Sequence, residues 1–127
     1  NTSCSDINSS MSGRSMSEQA FLVLTALAEE PKHGYAIVQS VDALSGGRVR
    51  LRVGTLYGVL DRLVTDGLAR RDREEIHQGR LRRYYRLTDD GLRALAMETE
   101  RMAANVRAAT GVLRARGFRP APAGGTA

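Results

Sequence analysis

The chain has 127 residues, 42% of them hydrophobic, which is enough for one small domain with an additional element. A net charge of +5 and an isoelectric point near 10.1 favour a polyanionic partner, such as nucleic acid or an acidic membrane surface. No apolar run approaches the roughly 18 residues of a membrane span, and Cys4, the single cysteine, has no partner for a disulfide within the chain. The composition therefore excludes a membrane-spanning or disulfide-stapled protein and favours a cytoplasmic one.

The first predicted helix follows a polar segment. Residues 1–15 are rich in Ser and Asn and lack an apolar stretch, so they predict a disordered tail and not a signal peptide. Ser17 can cap a helix that extends to about Glu30, and apolar residues cover much of its circumference. Pro31 ends this helix, which is predicted to be buried on more than one side.

A second helix, a short strand and a third helix are predicted next. The second helix spans about 34–44 and stops at the sequence Ser-Gly-Gly. The alternating sequence RVRLR at 48–52 indicates a very short strand. The third helix spans roughly 54–66 and is closed by Gly67.

The third predicted helix has one apolar face and one face of small or polar residues. The apolar residues follow the helical spacing and are Leu56, Val59, Leu60, Leu63 and Val64. The opposite residues are small or polar, with Tyr57 at the border: Gly54, Thr55, Gly58, Asp61, Arg62 and Thr65. Glycine within a helix costs about 1 kcal/mol relative to alanine. Gly58 therefore indicates either a close approach to another surface, such as a duplex groove, or a tolerated defect on a solvated face.

An arginine-rich β-hairpin is predicted over strands 68–75 and 81–87, with a loop at 76–80. Arg80 and Arg82 share one strand face, and Arg83 lies on the other face with Tyr85. Residues 48–86 contain eleven Arg against five Asp or Glu, a net charge of +6. This concentration favours phosphate binding by the hairpin. The alternative is a solvated edge whose charges prevent pairing with other strands.

The last predicted element is a long helix that starts at Thr88 with two aspartates in its first turn and extends to about Arg116. Residues spaced alternately three and four apart form a heptad seam, namely Leu92, Leu95, Thr99, Met102, Val106, Ala109 and Leu113. The seam predicts a homodimer. The alternative is packing on the first helix of the same chain, and both arrangements can hold together.

A small-molecule effector site between subunits is a further expectation for this helix. Small residues in or beside the seam, namely Thr99, Ala103 and Ala109, leave space between two helices. The candidate lining residues are Phe21, Met97 and Met102, for which ordinary core packing is the alternative.

Three helices followed by a two-stranded hairpin is the order of a winged helix-turn-helix domain. The predicted fold class is mainly α with a small β-hairpin, and a long C-terminal helix follows the winged helix. The predicted divisions are a disordered tail at 1–15, a winged-helix DNA-binding domain at 16–88, a dimerisation helix at 89–117 and a disordered tail at 118–127.

Four short strings in this order carry a resemblance to a known family. They are PKHGY at 31–35, GTLY at 54–57, GR at 79–80 and YYRLT at 84–88, with Gly91 shortly after. Over about residues 17–115 the chain resembles the PadR family of bacterial transcriptional regulators. The resemblance implies a winged-helix DNA-binding domain with a C-terminal dimerisation helix, usually in a repressor released by a small ligand. The single long last helix is similar to the short-tailed branch of that family.

The resemblance also implies particular DNA contacts: Tyr35, Thr55, Tyr57, Arg80, Arg82 and Arg83. Gly58 departs from the bulkier residues often found after the TLY string. With neighbouring polar groups included, the predicted DNA-binding residues are Lys32, His33, Tyr35, Arg52, Thr55, Tyr57, Arg62, Arg80, Arg82 and Arg83.

These patterns predict a homodimeric, sequence-specific DNA-binding regulator, a ligand-responsive repressor acting on pseudo-palindromic operators. The alternative is a winged-helix protein-interaction module whose arginines bind an acidic protein. His33 and His77 are not at metal-ligand spacing, and no glycine-rich phosphate loop follows a strand. Neither a metal site, a cofactor nor an enzyme activity is therefore predicted.

Overall fold

A computed structural model describes residues 16–118 of the chain. The tail predicted at 1–15, and all but the first residue of the tail predicted at 118–127, lie outside these residues. Seven elements follow one another within residues 16–118: α1 (Glu18–Glu29), β1 (Lys32–His33), α2 (Gly34–Leu44), α3 (Val53–Thr65), β2 (Ala69–His77), β3 (Arg80–Leu87) and α4 (Asp89–Ala115). This is the winged-helix arrangement that the sequence predicts, with the long helix at its C-terminal end.

The three helices α1, α2 and α3 pack around one core, which β3 closes on one side. Its fully buried side chains include Leu24 of α1, Ile37 of α2 and Leu60 of α3. Tyr85 of β3 is also buried in this cluster. Val64, predicted on the buried face of α3, is 37% exposed, because it lies about 100° around the helix from the buried Leu63.

The sheet contains a strand that the sequence analysis missed. The order is β1-β3-β2 with antiparallel pairing throughout, and Lys32 and His33 of β1 face Tyr85 and Tyr84 of β3. Two residues are too few to show an alternating pattern. The strand predicted at 48–52 does not form: this segment has no ladder partner, and it anchors itself through Leu51, which is buried in the core.

The hairpin is longer and its turn tighter than predicted. Its connection is the two residues Gln78 and Gly79, whose φ angles of 52° and 80° are both positive. Positive φ at both positions is the geometry of a type I′ turn, whose twist matches that of the flanking strands. Asp72 and Arg73 form a bulge in β2, where the register shifts, and such a bulge increases the twist of the hairpin.

The long helix α4 is fixed at its start and projects from the core afterwards. Thr88 Oγ1 accepts from the amide of Gly91 at 2.9 Å, as the predicted cap requires. Leu95 packs against the core, and Glu98 is only 7% exposed while it binds Arg101. Beyond Glu98, almost every residue of α4 is exposed. No helix within residues 16–118 is long and apolar enough to cross a membrane.

Candidate nucleic-acid interface

A cleft of about 440 Å³ lies between the N-terminal ends of α2 and α3 and the end of the hairpin. Six of the ten predicted DNA-binding residues line it: His33, Tyr35, Tyr57, Arg80, Arg82 and Arg83. Three further residues complete the lining: Gly34, Val53 and Leu81. The fold therefore brings together side chains that the sequence places in three separate segments.

Tyr57 forms one wall of the cleft because Gly34 leaves room for its ring. A Cβ atom on Gly34 would lie 2.7 Å from the Tyr57 hydroxyl oxygen and 3.3 Å from the ring carbon that bears it. Tyr57 is half-buried and packs against the core, with its ring centre 6.5 Å from that of Tyr85. Gly34 thus allows α2 and α3 to approach each other closely, and Tyr57 packs against the core while its ring still lines the cleft.

His33 joins the cleft to the start of α2. Its Nδ1 accepts a long hydrogen bond of 3.5 Å from the amide of Ala36, so the histidine caps the helix. Its ring meets that of Tyr84 edge to face, with 5.2 Å between centres. Burial, followed by the positive charges of Arg82 and His77, lowers the pKa of His33 from 6.5, against a smaller opposing effect of Glu75. The neutral form, which can accept the capping bond, is therefore favoured.

Lowering the pH is expected to destabilise the chain partly through His33. Because folding lowers its pKa, the stability that neutral His33 contributes is present above about pH 6.5 and is lost as the pH falls through the folded-state pKa. Asn is also a good capping residue, so His33→Asn is expected to keep the cap and to flatten this decline. Urea unfolding of both proteins between about pH 7 and pH 5 tests this; parallel pH profiles would contradict it.

The arginines of the hairpin fall into two groups. Arg80 and Arg82 form no ion pair with any residue in the described part of the chain. By contrast, Arg83 binds Glu74 at 3.2 Å. Arg73 lies over the ring of Tyr84 at 3.9 Å and binds Asp72 and Glu75 of β2. Unneutralised positive charge is therefore concentrated at the end of the hairpin that borders the cleft.

Three other predicted residues lie outside the cleft. Arg52 precedes α3 and makes no side-chain capping bond, and Thr55 and Arg62 lie exposed on the helix itself. Between them the outward face of α3 is bare, because a Cβ on Gly54 or Gly58 would meet no atom within 4 Å. The N-terminal end of α3 consequently presents uncapped amides and an open backbone surface.

Lys32 has a different role from the one predicted. It is only 7% exposed, and its Nζ donates to the carbonyl oxygen of Ala26 at 2.7 Å and to Glu29 Oε1 at 2.9 Å. Because the ammonium group of Lys32 makes these two bonds, it caps the C-terminal end of α1 and is not available to bind a phosphate. The position of Lys32 just after the end of a helix could have indicated this role, since basic side chains there often bind the last carbonyl groups.

The predicted dimerisation seam is divided along α4. Leu92, Met102, Val106 and Leu113 are 40–63% exposed in the single chain. Leu95 packs against the chain's own core instead, and Thr99 Oγ1 bonds back to the carbonyl of Leu95 at 2.8 Å. Ala109 lies in the exposed distal part. The beginning of α4 therefore packs on its own chain, which was the alternative to the dimer. The apolar residues of the distal seam are covered by no other residue within 16–118.

Comparison with known proteins identifies relatives of the whole winged helix. Residues 23–97 match the model of the transcriptional regulator PadR-like family. An uncharacterized 37.1 kDa protein in transposon TN4556 of Streptomyces fradiae is 43% identical over 82 residues, which are 65% of this chain and 22% of that protein. The chain thus matches only about a fifth of that relative's length.

Solved structures show the same fold. A PadR family transcriptional regulator from Eggerthella lenta DSM 2243 is 30% identical, with a TM-score of 0.59 over 87% of this chain and 95% of that chain. PadR of Bacillus subtilis, solved in complex with operator DNA, is similar in fold, with 23% identity and a TM-score of 0.54 over 61% of this chain and 44% of that chain. Because the family model spans more than half of the residues, the chain belongs to the PadR-like family of transcriptional regulators.

Proposed function

We propose that the chain is a cytoplasmic, sequence-specific DNA-binding repressor that acts as a homodimer. The single observation that carries this proposal is the cleft, where the unpaired Arg80 and Arg82 lie beside the bare N-terminal end of α3. In this proposal α3 enters the major groove of the DNA, and the hairpin binds the sugar–phosphate backbone and the adjoining minor groove.

The charges around the cleft suit a sugar–phosphate backbone. Unpaired guanidinium groups bind phosphate oxygens strongly, because they offer two parallel donors to each phosphate group. The amides at the start of α3 have no side-chain cap from Arg52, and such amides favour negative charge. The exposed Thr55 and Tyr35 add hydrogen-bonding groups on either side. We assign Arg80, Arg82, the start of α3, Thr55 and Tyr35 to DNA contact. Lys32 is not assigned to it.

The exposed distal seam of α4 supports the proposed dimer. An isolated helix with an apolar stripe is stabilised by a second copy that buries the stripe. Two symmetric copies would present two α3 helices to half-sites about one turn, or 34 Å, apart. The B. subtilis relative was solved with operator DNA, which supports an operator as the target here. A small-molecule effector would lie between the two α4 helices, beside the exposed Met102 of the seam.

Replacing the unpaired arginines is expected to weaken binding to every duplex and to flatten its salt dependence. The slope of log K against log salt becomes shallower by about 0.9 for each phosphate that the protein no longer binds, so Arg80→Ala and Arg82→Ala should each have this effect. Arg73→Ala is the matched control, because Arg73 is already neutralised by acidic neighbours. The measurement is a fluorescence titration of promoter and random duplexes at several salt concentrations.

An unchanged slope in both variants would contradict phosphate binding by the hairpin. Wild-type protein that distinguishes no duplex from any other, even in dilute salt, would contradict the proposed function. That result would favour the alternative of a module that binds an acidic protein.

A further inference from the structure

The cleft contains an apolar side chain that phosphate binding does not explain. Val53, the first residue of α3, is 61% exposed although it lines the same cleft as Arg80 and Arg82. It contributes nothing to the core cluster. A β-branched residue also has no advantage at a helix start, where proline, acidic and capping residues are favoured. The fold therefore does not require a valine here.

The surface next to Val53 allows a close approach to a duplex. Gly54 and Gly58 leave two positions on the outward face of α3 without side chains, and an added Cβ at either would meet no atom within 4 Å. Tyr57 lies one turn after Val53 on the same side of α3, and its ring is held in place because it packs closely against Gly34. The two methyl groups of Val53 thus form an apolar projection at the N-terminal end of α3, next to two positions without side chains.

The edges of the base pairs offer one apolar group in the major groove, which is the 5-methyl group of thymine. Residues at the N-terminal end of a recognition helix are the ones that reach base edges. We propose that Val53 is a specificity-determining residue that selects thymine at one position of each half-site by packing against its 5-methyl group. This inference rests on the proposed function, because it assumes that α3 lies in the major groove.

Replacing thymine by deoxyuridine tests the proposal, since this change removes only the methyl group. The probe is the tightest duplex that the full-length protein selects from a randomised pool. Each thymine is replaced in turn, with its symmetry-related partner. At one pair of positions, deoxyuridine should weaken binding about fourfold for each methyl group removed, the value expected for burying one methyl. At the other positions the effect should be close to none.

The protein side of the test removes the methyl groups of Val53. Val53→Ala should distinguish the thymine duplex from the deoxyuridine duplex less at that position than the wild type does, because the two γ-methyl groups that contact the thymine methyl are removed. Val53 is exposed and makes no core contact, so the variant should unfold at the wild-type temperature. Leu81→Ala is the matched control: Leu81 is a second apolar residue of the cleft, 54% exposed on the hairpin, and its variant should keep the thymine preference.

Two results would overturn the role of Val53. One is a selected duplex in which no thymine-to-deoxyuridine change matters, and the other is a thymine preference in Val53→Ala that is as large as in the wild type. Both leave salt-dependent, sequence-selective binding intact, so they are distinct from failure of the proposed function, which would show as no enrichment of any duplex.

Discussion

Gly91→Ala should lower the free energy of unfolding by about 2–3 kcal/mol, the upper part of the range for an overpacked site. A Cβ at Gly91 would overlap the carbonyl oxygen of Leu68 and press on a methyl group of Leu87. The first of these neighbours is backbone, which cannot turn aside as a side chain can. Helix α4 would have to shift away from the hairpin.

This site matters because it joins α4 to the winged helix. The amide of Thr88 donates to the carbonyl of Leu68 at 3.1 Å, and Thr88 Oγ1 donates to the carbonyl of Gly67 at 2.7 Å. A displaced α4 would strain both bonds. The direction of α4 relative to α3, which would set the spacing of half-sites in a dimer, depends on the same contacts.

Gly111→Ala is the matched control in the same helix. Gly111 is exposed, and an added Cβ would meet no atom within 4 Å, so this variant should gain about 0.5–1 kcal/mol from the better helix former. Urea unfolding of the two variants at one protein concentration gives the comparison, since the stability of a dimer depends on concentration. Equal free energies in the two variants would show that the approach of α4 to Leu68 is not tight.

Val106→Asp is expected to dissociate the proposed dimer without unfolding the chain. Val106 is 63% exposed in the single chain, so aspartate there costs the monomer little, whereas the predicted seam would bury two like charges without partners. An unpaired buried charge costs about 3–5 kcal/mol, which raises the dimer dissociation constant by roughly a hundredfold or more. Without the link between two half-sites, operator binding should then weaken by about 10²–10⁴-fold.

Ala104→Asp places the same charge on α4 away from the seam. Ala104 is exposed and lies on the opposite side of the predicted heptad, so this variant should remain dimeric and bind DNA as the wild type does. Analytical ultracentrifugation and DNA titration of both variants measure the two effects. A monomeric wild type, or a dimeric Val106→Asp, would rule out the distal seam as the interface.

The order of the elements was predictable because long elements leave periodic signals. The apolar spacing of α3 indicates its buried face, and Leu56, Leu60 and Leu63 are all fully buried. The cap at Thr88 was equally clear, because it combines a hydroxyl residue with two aspartates. Strand β1 was missed because it contains only two residues. The strand predicted at 48–52 was wrong, because an alternating pattern forms a strand only beside a partner and this segment has none.

The cleft itself could be predicted only in part. Motif strings supply Tyr35, Tyr57 and Arg80, and the structure brings these residues together. The same strings did not reveal that Lys32 faces inward to a carbonyl group, because burial depends on the path of the chain after Pro31. Nor did they reveal Val53, since an apolar residue at a helix start resembles a core residue until its exposure is known.

An NMR titration of the isotope-labelled protein with its selected duplex tests the central claim, that the cleft faces the DNA. The largest amide shifts are expected at Tyr35, Val53 and Tyr57 and along the end of the hairpin from Arg80 to Arg83. Amides near Asp42 and in the distal half of α4 should change little. Shifts concentrated in α4, with the cleft unaffected at saturation, would contradict the account.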